Sequence, residues 1–268
     1  MKRKSLRELA RDPRFIPGVY NYCDRWCERC PLSNRCLNYA METERGDGDA
    51  ASRDLANEKF WQKFRETFQE TIAMVRAEAK ARGIDLEDPK LRAAVIAQER
   101  AERRRAAKNR PLARAAMAYV KEVDRWLDGA KPLLASKIEE LKTRARLEIG
   151  DPEAEVERLS DFTDVIRWYQ HFIYVKLHRA IDSRASEELE TKEEMKQLPK
   201  DSDGTAKIAL IAMERSISAW AGLRESLDND ADGILDLLAQ LTALRRETEK
   251  LFPEARAFVR PGFDERQE

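Results

Sequence analysis

The sequence predicts an all-α protein, a multi-helix bundle with a small four-cysteine metal-binding loop near its N-terminus. Three observations carry that prediction. Apolar residues recur at spacings of three and four along most of the chain after residue 52, which is the helical period. Glycine and proline number only ten each in 268 residues, and most sit between the periodic segments, which argues for long helices and few hairpins. All four cysteines fall between Cys23 and Cys36, spaced C-x3-C-x2-C-x5-C.

In chain order, residues 1–41 read as a basic arm (Lys2, Arg3, Lys4, Arg7 and Arg11, a short helix before Pro13) followed by the four-cysteine metal-binding segment. Residues 42–52, with Gly46-Asp-Gly48-Asp, are small, polar and acidic, and read as a linker. Residues 53–252 form the helical bundle domain, and 253–268 a polar, loose tail. The first bundle helix runs from about Arg53 to Ala81, with Phe60, Phe64, Phe68, Ile72 and Val75 on one stripe and Gly83 as its stop. A second covers about Asp88 to Lys108. Pro111 begins a third that ends at Gly129, and a fourth follows Pro132 and stops before Gly150-Asp-Pro152. The fifth, about Glu153 to Ser183, is apolar almost all round from Trp168 to Leu177, which marks it as the central, enclosed helix. A short polar helix precedes Pro199. Asp201-Ser-Asp203 caps the seventh, about Thr205 to Leu227, with Ile208, Ile211, Ile217 and Trp220 inward, and the eighth runs from Ile234 to Phe252, where Pro253 ends it.

Composition narrows the function classes. Fifty basic residues balance fifty acidic ones, so no global field draws the chain to nucleic acid or an anionic membrane. The basic run Arg100–Arg114 has no aromatics for base stacking and reads as a solvated helix end. No run of eighteen apolar residues is present, so no membrane span is expected. No Gly-rich phosphate loop and no Gly-x-Ser-x-Gly elbow occurs. Met1-Lys-Arg-Lys leads into polar sequence with no apolar signal core, which predicts a cytoplasmic, reducing setting. Disulfides are disfavoured there, and small loops would gain least from them.

Cys23, Cys27, Cys30 and Cys36 are therefore expected to hold a metal as thiolates. Structural zinc sites usually take two Cys-x2-Cys hooks separated by a dozen or more residues, a gap that is missing here. A contiguous cysteine run with Pro31 directly after a ligand resembles the runs of bacterial ferredoxins, although their gaps are two, two and three. That resemblance covers this loop alone and implies a [4Fe-4S] cluster ahead of Zn2+ as the cofactor. The first three cysteines also match the Cys-x3-Cys-x2-Cys run of radical S-adenosylmethionine enzymes. However, Cys36 can close the fourth position, Arg29 stands where an aromatic is usual, and no βαβ alternation follows. Arg25, Arg29 and Arg35 would offset thiolate charge, while Tyr20, Tyr22 and Trp26 would shield the centre from water.

The only histidines, His171 and His178, fall on one stripe of the fifth helix with Asp164, Trp168, Val175 and Asp182. His178 and Asp182, four residues apart, form the pair best placed for a second metal, with Glu214, Glu66 or Glu70 as a further carboxylate. A helical bundle joined to a four-cysteine centre is similar in outline to ferritin-like rubrerythrins, but neither histidine has the Glu three residues before it that such di-iron sites use. The sequence thus supports two readings. One is a redox or electron-transfer metalloprotein serving a protein partner, and the other a zinc-stapled helical scaffold for macromolecular interactions.

Overall fold

The computed structural model describes residues 9, 11–44, 54–191, 193, 198–227 and 231–264. Among the described residues there are eight α-helices and no strand. They are α1 (Leu37–Glu44), α2 (Glu58–Ala81), α3 (Pro89–Ala107), α4 (Arg110–Gly129), α5 (Lys131–Arg146), α6 (Pro152–Glu187), α7 (Asp201–Ser226) and α8 (Ala231–Leu251). The all-helical architecture expected from the apolar period is what the chain adopts. No helix among the described residues is long and apolar enough to cross a membrane. The basic arm before Leu9, most of the linker and the short helix before Pro199 fall largely outside the described residues, while residues 42–44 continue α1.

Local chemistry sets the helix ends. The Asn57 side chain caps α2 by accepting from Lys59 N, as an Asn at that position does. Gly83, at φ 66°, closes the same helix, with its own N–H to Lys80 O at 3.2 Å and Ile84 N to Ala79 O at 2.9 Å. That pair of bonds is a Schellman stop, and glycine suits the left-handed turn it needs. The Asp151 side chain caps α6 at Ala154 N, just before Pro152 at the first helical position. At the end of α5 the same stop occurs without a glycine. Ile149 N bonds Arg144 O at 3.0 Å, and the left-handed residue is Glu148, at φ 55°. Left-handed geometry costs an ordinary residue roughly 1–2 kcal/mol, and glycine's extra unfolded freedom offsets part of any relief. Glu148→Gly is therefore expected to raise unfolding free energy by about 0.5–1 kcal/mol in chemical denaturation; a loss of stability would contradict the stop as described.

The chain divides into two compact units, residues 1–101 with 261–268, and residues 102–260. The division falls inside α3, and α2 lies in the same unit as the cysteine segment. Much of the apolar stripe of α2 is exposed: Phe64, Phe68 and Val75 are 52%, 56% and 54% accessible. Phe60, Phe64 and Phe68 stack in a row, with neighbouring ring centroids 6.4 and 6.0 Å apart. Periodicity identified the apolar face correctly, but it does not supply a neighbour for that face.

In the second unit α4, α6, α7 and α8 close a four-helix ring. α6 packs on α7, α7 on α8, α8 on α4 and α4 on α6, while α5 lies against α6. The core is built from Tyr119, Val123, Ile166, Ile173, Leu177, Ile208, Met213, Trp220 and Leu241, each 2% accessible or less. Two expectations about the central helices are corrected here. α6 has a wet face, with Trp168 and Val175 38% and 56% exposed. The most enclosed helix is α7, whose run from Ser202 to Ala206 is wholly buried. Its small Gly, Ala, Ser and Thr side chains let neighbours approach closely; a Cβ on Gly222 would stand 2.3 Å from the Phe162 ring. α7 also starts earlier than expected. Asp201 to Asp203 are helical, Lys200 is the cap position, and the Glu187 carboxylate takes Ser202 N at 2.9 Å.

Candidate metal centre

The cysteine segment is a series of three-residue 3-10 turns, which is why the thiols come at short gaps. Gly18, at φ 76°, starts the turn Val19–Asn21. Cys27–Arg29 closes through Cys30 N to Cys27 O at 3.2 Å, and Ser33–Arg35 through Cys36 N to Ser33 O at 3.2 Å. α1 then continues from Cys36, with Ala40 N on Cys36 O at 3.0 Å. Between the first two cysteines, Asp24 Oδ1 accepts from Trp26 N at 3.2 Å, and Arg25 adopts φ 61°. A left-handed arginine is an uncommon, strained conformation that needs surrounding structure to hold it. Ile16 N to Arg35 O, at 3.0 Å, ties the start of the segment to its end.

These turns bring Cys23, Cys27, Cys30 and Cys36 to the wall of a single cavity of about 20 Å³, room for one water-sized guest. All four are free thiols. Tyr20, Trp26, Leu32, Tyr39 and Phe263 share the wall with Val19, Asp24, Arg25 and Ser33. Of the aromatics expected to shield the centre, Tyr20 and Trp26 do line it. Arg29 lies over the Trp26 ring at 3.8 Å, so its charge is held against the indole.

Sequence reasoning missed Tyr39, Leu32 and Phe263. Tyr39 follows Cys36 by three residues on α1, a spacing that the helical period makes legible. Phe263 belongs to the tail expected to be loose, and that expectation is corrected for its described part. Gly262, at φ 74°, sits so close to Ile16 that a Cβ there would be 2.7 Å from Ile16 Cδ1. An aromatic beside a left-handed glycine in a polar tail was the available signal. Residues 265–268 lie outside the described residues.

The thiols feel one another. Burial pushes the Cys27 thiol up to about 11, and Cys23, Cys36, Glu42 and Cys30 add negative charge in the same direction. Burial also pushes Cys30 up, partly countered by a backbone hydrogen bond from Leu32 that favours the thiolate. A cation at the cavity would relieve this mutual penalty. As they stand, no three Cys, His, Asp or Glu side chains among the described residues are gathered around a point that would hold a single ion. Held as thiolates, the four sulfurs would suit either zinc or an iron-sulfur cluster.

The second candidate set is dispersed. His178 Nδ1 and Asp182 Oδ2 do meet, at 3.1 Å, but Arg110 Nη2 donates to Asp182 Oδ1 at 2.8 Å and Arg110 Nη1 contacts His178 Nε2. The positive partner of this pair is thus a guanidinium from α4. Glu214 is ion-paired with Arg256 at 2.7 Å, and Glu66 and Glu70 lie on α2 in the other unit. The stripe from Asp164 to Asp182 faces outward, with Asp164, Trp168, His171 and Val175 exposed.

Compared with known proteins, the chain matches no family model, no curated protein and no solved structure. The functional reading therefore stands on the residues alone.

Proposed function

We propose that the four-cysteine cavity is a thiolate metal centre, and that the centre is a [4Fe-4S] cluster through which the protein passes electrons to a protein partner. The observation that carries this reading is that all four cysteines line one cavity walled by Tyr20, Trp26, Leu32, Tyr39 and Phe263. Soft sulfur donors suit zinc and iron-sulfur clusters alike. The contiguous run favours the larger centre. The apolar and aromatic cover, together with the Leu32 N–H on Cys30, are the features by which a protein sets a cluster's potential.

Anaerobic purification followed by iron, sulfide and zinc analysis tests the reading. Brown protein with about four iron and four sulfide per chain, bleached by dithionite, is the expected result. Colourless protein carrying one zinc would replace the redox role with a structural staple. Metal-free protein that takes up neither iron-sulfide nor zinc on reconstitution would remove the site altogether.

A further inference from the structure

The second unit has a larger cavity, about 680 Å³, where the C-terminal end of α6, the start of α7 and the chain following α8 meet. That volume is in the range of small-molecule sites. Among the described residues, six carboxylates and two cations line it. Four of the carboxylates are already used. Glu187 caps Ser202, Glu188 pairs with Arg184 at 3.1 Å, Asp201 pairs with Arg179 at 2.8 Å, and Glu190 has partners of its own. Asp203 and Glu254 are left. Asp203 is 9% accessible and, among the described residues, its carboxylate takes no hydrogen bond or ion pair. A mostly buried carboxylate that faces the cavity without a hydrogen-bonded partner is a place where a cationic ligand can bind.

The nearby cations do not fill this role. Arg184 is turned to Leu251 O and Glu188, and Lys200 makes no ion pair with Asp203. Burial pushes the Asp203 carboxyl up, Lys200 pulls it down, Glu254 pushes it up again, and Arg184 pulls it down. The wall beside the two carboxylates is apolar, formed by Leu198, Phe252 and Pro253.

We propose that this cavity binds a small organic amine, its ammonium group held between Asp203 and Glu254 and a short apolar arm laid against Phe252, Pro253 and Leu198. An ammonium carries three donors on one compact charge, which suits two carboxylates on one cavity wall that act on each other electrostatically. A divalent metal fits less well, since no three carboxylates gather as it requires. An anion meets a wall of its own sign. The site is independent of the cysteine centre and stands if that reading fails.

Calorimetric titration of the full chain with 2-phenylethylamine tests the proposal, with 2-phenylethanol as the uncharged control. Saturable one-to-one binding with Kd at or below about 1 mM is expected for the amine, and none for the alcohol. Asp203→Asn should weaken binding about tenfold or more. Glu254→Gln, on an exposed side chain, should weaken it several-fold without altering the circular dichroism spectrum, and it decides the matter if Asp203→Asn does not fold. The proposal is overturned by absence of saturable binding to wild-type protein, by equal affinity for amine and alcohol, by unchanged affinity in Glu254→Gln, or by displacement of the amine with stoichiometric Mg2+ or Ca2+.

Discussion

Trp220→Ala is expected to lower the unfolding free energy of the helical unit by about 3–5 kcal/mol, the largest stability effect of any single side chain in it. Three losses combine. Trp220 is fully buried on α7, so truncation leaves a cavity where α4 and α7 share the core. Its ring meets Trp126 edge to face at 4.8 Å, a contact with a geometry of its own beyond buried area. Its indole Nε1 donates to the Tyr119 hydroxyl at 2.9 Å. Tyr119 is 1% accessible, and burial already pushes its ionisation upward, so water cannot replace the lost donor. Trp220→Phe narrows the contributions, because it removes the donor while keeping an aromatic ring and most of the volume; about 1–3 kcal/mol is expected. Phe64→Ala on α2 serves as the control. Its side chain is 52% exposed, and a change within about 0.5 kcal/mol is expected. Urea unfolding followed by circular dichroism measures all three, and a Trp220→Ala cost no larger than that of Phe64→Ala would refute the core as described.

This contrast also shows what could be read from residue order. Both Phe64 and Trp220 recur at the helical period of three and four, which identified both. Whether a stripe is covered depends on what another part of the chain presents to it, and that information is not local. The same holds for α6. Its apolar centre suggested enclosure, yet Val175 is exposed, while the small residues of α7, which carry a weak apolar signal, form the enclosed face. Helix ends were more legible, because Pro152, Gly83 and Asp151 act within a turn of where they stand. Glu148 escaped notice because nothing in a glutamate signals a left-handed stop.

The candidate site follows the same rule. Four thiols within one short run must lie near one another, so their shared cavity was predictable from spacing. Phe263 and the Arg110 contact with His178 and Asp182 come from remote segments, and pattern alone could not supply them. His178 and Asp182 meet at 3.1 Å, as four residues on a helix bring side chains together. The cation it meets was unforeseen.

If the cysteines hold the proposed metal centre, its removal is expected to make the segment from Arg25 to Arg35 a trypsin substrate, with cleavage at least about tenfold faster than in loaded protein. The reason lies in how little else holds these turns. The small hydrophobic cluster beside them consists of Leu9, Phe15 and Ala40 with Leu37 and Met41. Each 3-10 turn has only three residues, and Arg25 is held at a positive φ that relaxes once its surroundings loosen. Four bonds from sulfur to a common centre would fix all of the turns at once, so binding free energy becomes local folding free energy. Cys27→Ser should reproduce the effect without a chelator, because it removes one anchor at the position most affected by the other thiols. The same thiol sets the pH dependence. With its ionisation raised to about 11 in the metal-free state, loading at neutral pH must release its proton, so apparent affinity falls as pH falls. Protection from trypsin should therefore be lost at a lower chelator concentration at pH 6 than at pH 8. Equal cleavage of loaded and stripped protein would show that the turns hold themselves, and the four thiols would then be no more than neighbours in a small core.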